Sequence, residues 1–323
     1  MHIPDNFIDA KTALATAGLS AVGVGVALAR VKRELPPRKI PLLGLSAAFL
    51  FAAQMVNFPV IGGTSGHLVG GALVAALLGP SAAVVVLTTV IIVQCFLFSD
   101  GGVTALGANI FNMAIIQSVS GWIIFRLVAR FLRGLRGQVT ALAFASWCAT
   151  VIASISCAGQ LSWSKTVSWA SVFPAMTGIH IFIGIGEGLI SALVFLAIQR
   201  TRPDFLATAQ SSTNSSRRLD FLFYGALVVL GIAIFIAPFA CPWPDGLDHV
   251  ADKLGFGKHA IPPVFRAPLP DYQVPGVRWA VGGTAIAGVI GSLIVFVIAF
   301  LLGWLLVPGR AHPPAKSSEP PTC

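Results

Sequence analysis

Charged residues are scarce in this chain. Asp, Glu, Lys and Arg together make up 10% of its 323 residues, whereas 56% of the residues are hydrophobic. Soluble domains carry about a quarter charged residues, so this composition excludes a soluble globular protein. Apolar runs of roughly 20 residues recur, which is the length of a helix that crosses a membrane. The net charge of +9 does not indicate nucleic-acid binding, because the basic residues lie in short loops between the apolar runs.

Cysteine is also scarce, and its spacing forms no motif. The five cysteines include no C-x-x-C pair, which argues against a disulfide framework. Cys95, Cys148 and Cys157 lie in or beside apolar runs, where a cysteine acts as a small hydrophobic side chain.

The motifs of nucleotide hydrolysis and metalloprotease chemistry are missing. The sequence contains no G-x-x-x-x-G-K-[ST] and no H-E-x-x-H, so we expect no P-loop hydrolysis and no enzyme activity in this chain. Glu187 is the only carboxylate well within an apolar run, and a proton-coupled antiporter normally needs more such groups. These absences favour uptake that a separate partner drives.

Nine apolar runs predict an all-α polytopic membrane protein with about nine transmembrane segments. They cover about 12–30, 40–60, 67–78, 81–98, 105–132, 138–158, 174–198, 220–239 and 278–307, and the third is short for a span. The loops at 30–39, 126–136, 200–218 and 310–316 hold 15 of the 21 Lys and Arg residues. Basic loops mark the cytoplasmic side, so the amino terminus is predicted to lie outside a cell membrane (the inner membrane if the cell is Gram-negative).

Composition divides the chain into two parts. A Ser/Thr/Asn-rich linker, 203–218, separates a first domain, 1–202, from a second domain, 219–309, and a Pro-rich tail, 310–323, is predicted to be disordered. In the first run, small residues recur at every fourth position from Ala13 to Ala29. Such a stripe lets another helix approach closely within a membrane.

The first two residues are a candidate metal chelate. The Met1 amine, the His2 amide nitrogen and one His2 ring nitrogen can bind a single cation in fused small rings, which leaves one position in their plane open. His67, after the Gly-rich run 62–66, can supply the missing ligand because the topology places it on the same outer face. Tetragonal nitrogen ligation suits Ni(II) or Cu(II), and imidazole also suits Co(II) and Zn(II). The alternative is a frayed terminus whose histidine has no role.

Other polar residues are predicted to surround the ligands without binding the metal. These are Asn57, Ser65, Asn109 and His180. His180 and Glu187 are seven residues apart in an apolar run and so share a helical face. Either they orient the amino-terminal segment, or they only join helices by hydrogen bonds.

Together these stretches resemble the CbiM/NikM family, the S components of energy-coupling factor (ECF) cobalt and nickel transporters. The matching stretches are Met1-His2-Ile3-Pro4-Asp5, the blocks 52–59 and 62–68, and the blocks 100–102 and 105–110. The resemblance implies a seven-helix bundle into which the amino terminus inserts. It also implies that Met1, His2 and His67 coordinate Ni(II) or Co(II). The implied partners are a CbiQ/NikQ-like transmembrane coupling subunit and a CbiO/NikO-like ATPase, with the small-residue stripe as candidate contact.

The second domain is similar to the two-helix CbiN/NikN component, which carries a Pro-Asp-Gly-Leu-Glu motif. Here the motif ends in Asp248 rather than Glu. The resemblance implies that Asp245, Asp248 and His249 help to load the metal. A second departure is Asn6, where Gly is usual in the family; Asn tolerates the left-handed conformation.

Two other classes of function remain open at this point. A stand-alone secondary metal permease would transport without an ATPase, and a metal sensor or chaperone would bind metal without transporting it.

Overall fold

The computed structural model describes residues 1–201 and 215–307, without the side chains of 215–218. These residues are mostly helical and confirm the predicted all-α polytopic membrane fold. Most of the predicted linker, 203–214, and the whole predicted tail, 310–323, lie outside the described residues. The last four linker residues, 215–218, begin a helix.

The helices and one hairpin follow in chain order. The α-helices and β-strands are α1 (Ala10–Glu34), α2 (Ile40–Gln54), β1 (Phe58–Val60), β2 (Thr64–Gly66), α3 (Gly71–Leu78), α4 (Pro80–Phe98), α5 (Leu106–Asn109), α6 (Gln117–Val128), α7 (Gly134–Trp163), α8 (Trp169–Thr201), α9 (Ser215–Gly231), α10 (Gly246–Leu254) and α11 (Ala280–Leu306). A π-helical segment, Ile110–Ile116, joins α5 to α6, and another, Ile232–Ile236, extends α9. Single 3-10 turns lie at Pro37–Lys39, Ala237–Phe239, Gly257–His259 and Pro270–Tyr272.

Seven helices of the described chain are long and apolar enough to cross a membrane. They are Ala10–Glu34, Pro80–Phe98, Leu106–Val128, Gly134–Trp163, Trp169–Thr201, Leu219–Phe239 and Ala280–Leu306. The other two predicted runs form α2, of 15 residues, and α3, of 8 residues. At 1.5 Å per residue they are about 22 and 12 Å long, shorter than the roughly 30 Å of a hydrocarbon core.

Helix α1 turns its hydroxyl side chains inward. Asp9 caps it by accepting a hydrogen bond from Thr12 N at 2.9 Å, and Pro36 follows its end at Leu35. Its buried residues include Thr12, Thr16 and Ser20. The small-residue stripe lies elsewhere, with Ala17, Ala21, Gly25 and Ala29 all exposed.

The run between α2 and α3 contains a hairpin that we did not predict. β1 and β2 pair antiparallel, with Phe58 opposite Gly66 and Val60 opposite Thr64. Gly62 and Gly63 make the turn at φ of 99° and 81°, a conformation that favours glycine. Within the apolar run at 40–60 the helix therefore ends at Gln54, and the hairpin that follows leads directly to His67.

Glycines of α11 pack the second domain against α2. A Cβ on Gly291 would lie 2.1 Å from the Phe51 ring, and one on Gly303 would lie 2.9 Å from Leu43 Cδ1. Only glycine permits this approach, which is typical of helix pairs in membranes. The connection between α9 and α11, residues 240–279, contains α10 and returns to the end of the bundle that holds the amino terminus. We call it the C-terminal loop.

Candidate metal centre

The amino-terminal segment is packed inside the protein. Met1 is 6% exposed, and Ile3 and Phe7 are buried. Ile3 N donates to Asn109 Oδ1 at 2.7 Å, and Asn109 Nδ2 donates to Ile3 O at 3.1 Å. This two-way clamp, together with a bond from Gly102 N to Ile3 O, fixes the backbone two residues from the terminus.

In the turn after Ile3, an acidic side chain accepts hydrogen bonds and the next residue adopts the left-handed conformation. Asp5 Oδ1 accepts hydrogen bonds from Thr104 N at 2.8 Å and from its hydroxyl at 2.6 Å. Asn6 has φ of 68°, in the left-handed region that Asn tolerates. Asn6 Nδ2 also donates to His259 O at 3.0 Å, which ties the segment to the C-terminal loop.

The three predicted ligand residues come together. The Met1 nitrogen lies 3.4 Å from His67 Nε2, and the rings of His2 and His67 stack with centroids 5.8 Å apart. His67 is 8% exposed. In the described residues, no group of three or more His, Cys, Asp or Glu side chains is arranged to hold a metal ion. The buried cluster instead combines the terminal amine with two histidine rings.

Asp245 of the C-terminal loop holds the terminal amine. Met1 N donates to Asp245 Oδ2 at 2.6 Å. The other oxygen, Oδ1, caps α10 by accepting from Leu247 N at 2.8 Å and Asp248 N at 2.9 Å. The same carboxylate therefore begins a helix of the second domain and neutralises the terminus of the first.

Asp100 holds the His2 ring. His2 Nδ1 lies 3.0 Å from Asp100 Oδ1. Because an ionised carboxylate only accepts hydrogen bonds, Nδ1 carries the hydrogen in this contact. Tyr272 of the C-terminal loop donates its hydroxyl to Asp100 Oδ2 and stacks on Phe98 with centroids 4.8 Å apart.

A chain of amides supports the other side of the His2 ring. His2 Nε2 lies 3.2 Å from Gln94 Oε1. Gln94 Nε2 donates to Gln54 Oε1 at 2.8 Å, and Gln54 Nε2 donates to Val69 O at 3.1 Å. The ring is thereby linked to the backbone just after His67.

Charge and burial set the protonation of these groups. Burial, the largest single influence, opposes the ammonium of Met1, but the charge and hydrogen bond of Asp245 together with the charges of Asp100 and Asp248 raise the pKa of the amine. Burial likewise opposes the carboxylate of Asp245, yet the ammonium holds its pKa well below the usual range. Burial, reinforced by the positive terminus, lowers the pKa of His67 to about 3. His67 is therefore neutral at physiological pH, the form that binds a metal.

Backbone hydrogen bonds attach the C-terminal loop to the first domain. Ser65 N donates to Pro244 O at 2.8 Å, and Cys241 N donates to Asn57 O at 2.9 Å. Ser65 Oγ also donates to Trp243 O at 2.8 Å. Asn57 and Ser65, predicted to surround the ligands, thus lie at the joint that positions Asp245.

The remaining predicted residues take different places. Asn109 clamps Ile3, and His180 lines a small cavity beside Met1 and His67. Asp248 is exposed, and His249 is half-buried with no described side-chain hydrogen bond. Of the three residues predicted for metal loading, only Asp245 contacts the terminus.

Sequence reasoning did not single out Asp100, Gln94 or Tyr272. Gln94 carried one signal, because it is an amide deep within an apolar run. Asp100 was noted only as part of a matching block. Tyr272 is 172 residues from Asp100 along the chain, and its loop shows no local pattern that predicts the contact.

The comparisons with known proteins agree with this architecture. The CbiM family, described as "Cobalt uptake substrate-specific transmembrane region", matches residues 2–205, and the PDGLE domain matches residues 219–308. A protein of Archaeoglobus fulgidus is 34% identical over 305 residues, which are 94% of this chain and 98% of that protein. The "Fused nickel transport protein NikMN" of Rhodobacter capsulatus is 30% identical over 96% of this chain and all of its own length.

A solved structure also matches. The "Crystal Structure of an transition metal transporter" superposes with a TM-score of 0.58 at 30% identity and covers 63% of this chain and 95% of that one. The resemblance found in the sequence is thus confirmed over both parts of the chain. This polytopic membrane protein belongs to the CbiM family and carries a PDGLE domain in the same chain.

Proposed function

We propose that this chain is the substrate-specific membrane component of an ECF-type importer, and that it binds Ni(II) or Co(II) at its outer face through Met1, His2 and His67. The observation that carries the proposal is the buried cluster in which the terminal amine lies 3.4 Å from His67 Nε2 beside the stacked His2 ring. A frayed terminus would be exposed, whereas Met1 is packed and paired. The family of the chain supports the substrate class.

The chelate uses groups that stand next to one another on the chain. The amine and the His2 amide nitrogen close a five-membered ring on a metal, and the amide and His2 Nδ1 close a six-membered ring. His67 Nε2 supplies the fourth nitrogen. Four nitrogens near one plane suit Ni(II), and imidazole nitrogens also suit Co(II).

Metal binding exchanges hydrogen-bonded protons for coordinate bonds. In the structure Asp245 accepts from the amine and Asp100 accepts from His2 Nδ1. The amine, the His2 amide nitrogen and His2 Nδ1 must each give up one hydrogen before they bind the cation, and solvent takes up the released protons. The carboxylates then offset the positive charge of the metal and orient its ligands, as outer-shell groups commonly do.

Release toward the cytoplasm needs an outside source of energy. Within the described spans, Glu187 is the one carboxylate that is fully buried, and backbone groups of Val69 and Gly70 already bind it. The proposed source is a CbiQ/NikQ-like coupling subunit with a CbiO/NikO-like ATPase. The exposed stripe of α1, which includes Ala17 and Ala21, is the proposed contact face for the coupling subunit. This chain itself is proposed to have no enzyme activity, to need no organic cofactor, and to reside in the cell membrane.

Transport in vesicles tests this function. We expect uptake of radiolabelled Ni(II) or Co(II) only when the coupling subunit, the ATPase and ATP accompany this chain, and we expect His67→Ala to abolish that uptake. Uptake by this chain alone would instead establish a secondary permease. Tight metal binding without uptake in either preparation would establish a sensor or chaperone.

A further inference from the structure

His180 of α8 has a ring nitrogen without a partner. The side chain is 2% exposed, and its Nδ1 lies 2.8 Å from Met176 O. A carbonyl oxygen only accepts hydrogen bonds, so Nδ1 carries the hydrogen and Nε2 keeps its lone pair. No contact among the described residues satisfies Nε2. A buried acceptor without a partner is unfavourable unless water or a ligand occupies the space beside it.

The space beside Nε2 is a cavity next to the candidate metal centre. A Cβ on Gly246 would lie 3.2 Å from His180 Nε2 and 2.9 Å from Cε1, so the absence of a side chain there leaves the ring edge open. His180 and Gly246 line a cavity of about 20 Å³, which Met1, His67 and Asp245 also line. That volume holds about one water molecule or one small ion.

The cavity lies on the inward side of the chelate. Ser65, Gln117 and Thr150 form its other polar lining. Gln117 Nε2 lies 3.3 Å from Thr150 Oγ1 and 3.4 Å from Glu187 Oε1. Glu187 lies seven residues after His180 in α8, on the same helical face. The cavity therefore lies between the amino terminus and Gln117, whose amide reaches Glu187.

The chemistry of this lining is that of a cation site. Histidines that bind metals typically donate the other ring N–H to a carbonyl or carboxylate, which fixes the tautomer and the ring orientation. His180 already has this arrangement. Asp245 adds a carboxylate and Thr150 adds a hydroxyl oxygen, whereas Gln117 Oε1 already accepts from Gly71 N at 3.2 Å. One nitrogen with several oxygens binds divalent first-row cations less tightly than the four nitrogens of the chelate.

We infer that His180 and Asp245 form a second, weaker position for the transported divalent cation, directly inward of the Met1–His2–His67 chelate. This inference rests on the proposed function. A cation that leaves the chelate can reach the His180 lone pair across this single cavity. Asp245 lies next to both positions. Water and the Thr150 hydroxyl complete its coordination.

A variant without the chelate tests the second position directly. In the full-length chain, His2→Gln with His67→Ala removes both chelating rings. We expect this double variant to retain Ni(II) binding at least tenfold weaker than the native chain by calorimetry. With Cu(II) as the probe, pulsed electron paramagnetic resonance should detect one coupled imidazole. Adding His180→Ala should remove both signals, whereas adding His259→Ala, at an exposed loop histidine outside the cavity, should leave them unchanged.

A second measurement separates transport from folding. His180→Ala in the otherwise native chain should keep tight Ni(II) binding within about threefold, which shows that the fold and the chelate persist, while uptake with the partner subunits falls at least tenfold.

The outcomes distinguish the two proposals. If the native chain binds neither Ni(II) nor Co(II), the proposed function fails. If the native chain binds Ni(II) but the double variant binds none, or binds it equally well without His180, the second position is overturned and the proposed function stands. Unchanged uptake by His180→Ala would also overturn it.

Discussion

Two carboxylates hold the nitrogens of the proposed chelate, and they are fixed in different ways. Asp245 is held by backbone N–H groups of its own helix, at 2.8 and 2.9 Å. Asp100 is held by the hydroxyl of Tyr272, from a distant part of the chain. The first arrangement is local and forms whenever α10 forms. The second exists only when the C-terminal loop lies across the first domain, so the loop affects both nitrogens through separate contacts.

Blocking the terminus should have the largest effect, because it removes a proposed ligand directly. The comparison between Asp245 and Asp100 has meaning only if the nitrogens that they hold are ligands. Two residues added before Met1 turn the amine into an amide and place chain where Met1 is buried. We expect Ni(II) affinity to fall at least about 100-fold, since each ligand of a four-ligand site contributes a few kcal/mol. Calorimetry on the purified chain measures the loss.

The same two residues added after Cys323 provide the control. That variant should bind as the native chain does, and an intact-mass measurement should verify that its first residue is Met1. Native affinity in the chain extended before Met1 would exclude the terminal amine as a ligand.

Removing the charge of Asp245 should have the next largest effect. Asp245→Asn keeps the shape of the side chain but leaves the amine without its 2.6 Å ion pair. Loss of an outer-shell carboxylate typically costs about 10- to 100-fold in metal affinity. Asp248→Asn is the matched control, because that carboxylate is exposed and acts on the Met1 amine by charge alone; equal losses in both variants would point to general loop charge instead.

Removing the hydroxyl of Tyr272 should have a smaller effect. Tyr272→Phe retains the stacking on Phe98 and deletes the hydroxyl that donates to Asp100 and also interacts with Gln94. A hydrogen bond is worth about 1 kcal/mol net, so we expect roughly a fivefold loss of Ni(II) affinity. Tyr224→Phe, at the other tyrosine of the chain, removes a hydroxyl from a side chain that is 64% exposed.

The two tyrosine variants sharpen the comparison between the carboxylates. Tyr224→Phe should bind as the native chain does. A loss for Tyr272→Phe as large as that for Asp245→Asn would show that Asp100 matters as much as Asp245, and no loss would show that Asp100 holds His2 without help.

Sequence reasoning reached the fold class and the family because both depend on local signals. Apolar runs report membrane helices one at a time, and the stretches around Met1, His67 and Asn109 are short contiguous motifs. The clustering of Met1, His2 and His67 followed from topology, since basic loops placed them on one face. Whether they bind the metal remains a proposal.

Other features lay beyond local reasoning. The hairpin at 58–66 was missed because its strands have three residues each, too few for an alternating pattern. α3 proved to be eight residues long, because Gly70 turns the chain before the helix begins. The bond from Tyr272 to Asp100 depends on how two distant loops pack, and neither loop encodes its partner.

The bonds that join the C-terminal loop to the first domain are largely main-chain bonds. Ser65 N to Pro244 O, Cys241 N to Asn57 O and Leu269 N to Leu97 O each depend on the path of the backbone, with little dependence on side-chain identity. Such a joint can survive extensive sequence divergence, because selection acts on its shape. A second domain could therefore differ in most of its side chains, or be a separate polypeptide. It would still place an aspartate against the Met1 amine if its backbone followed the same path.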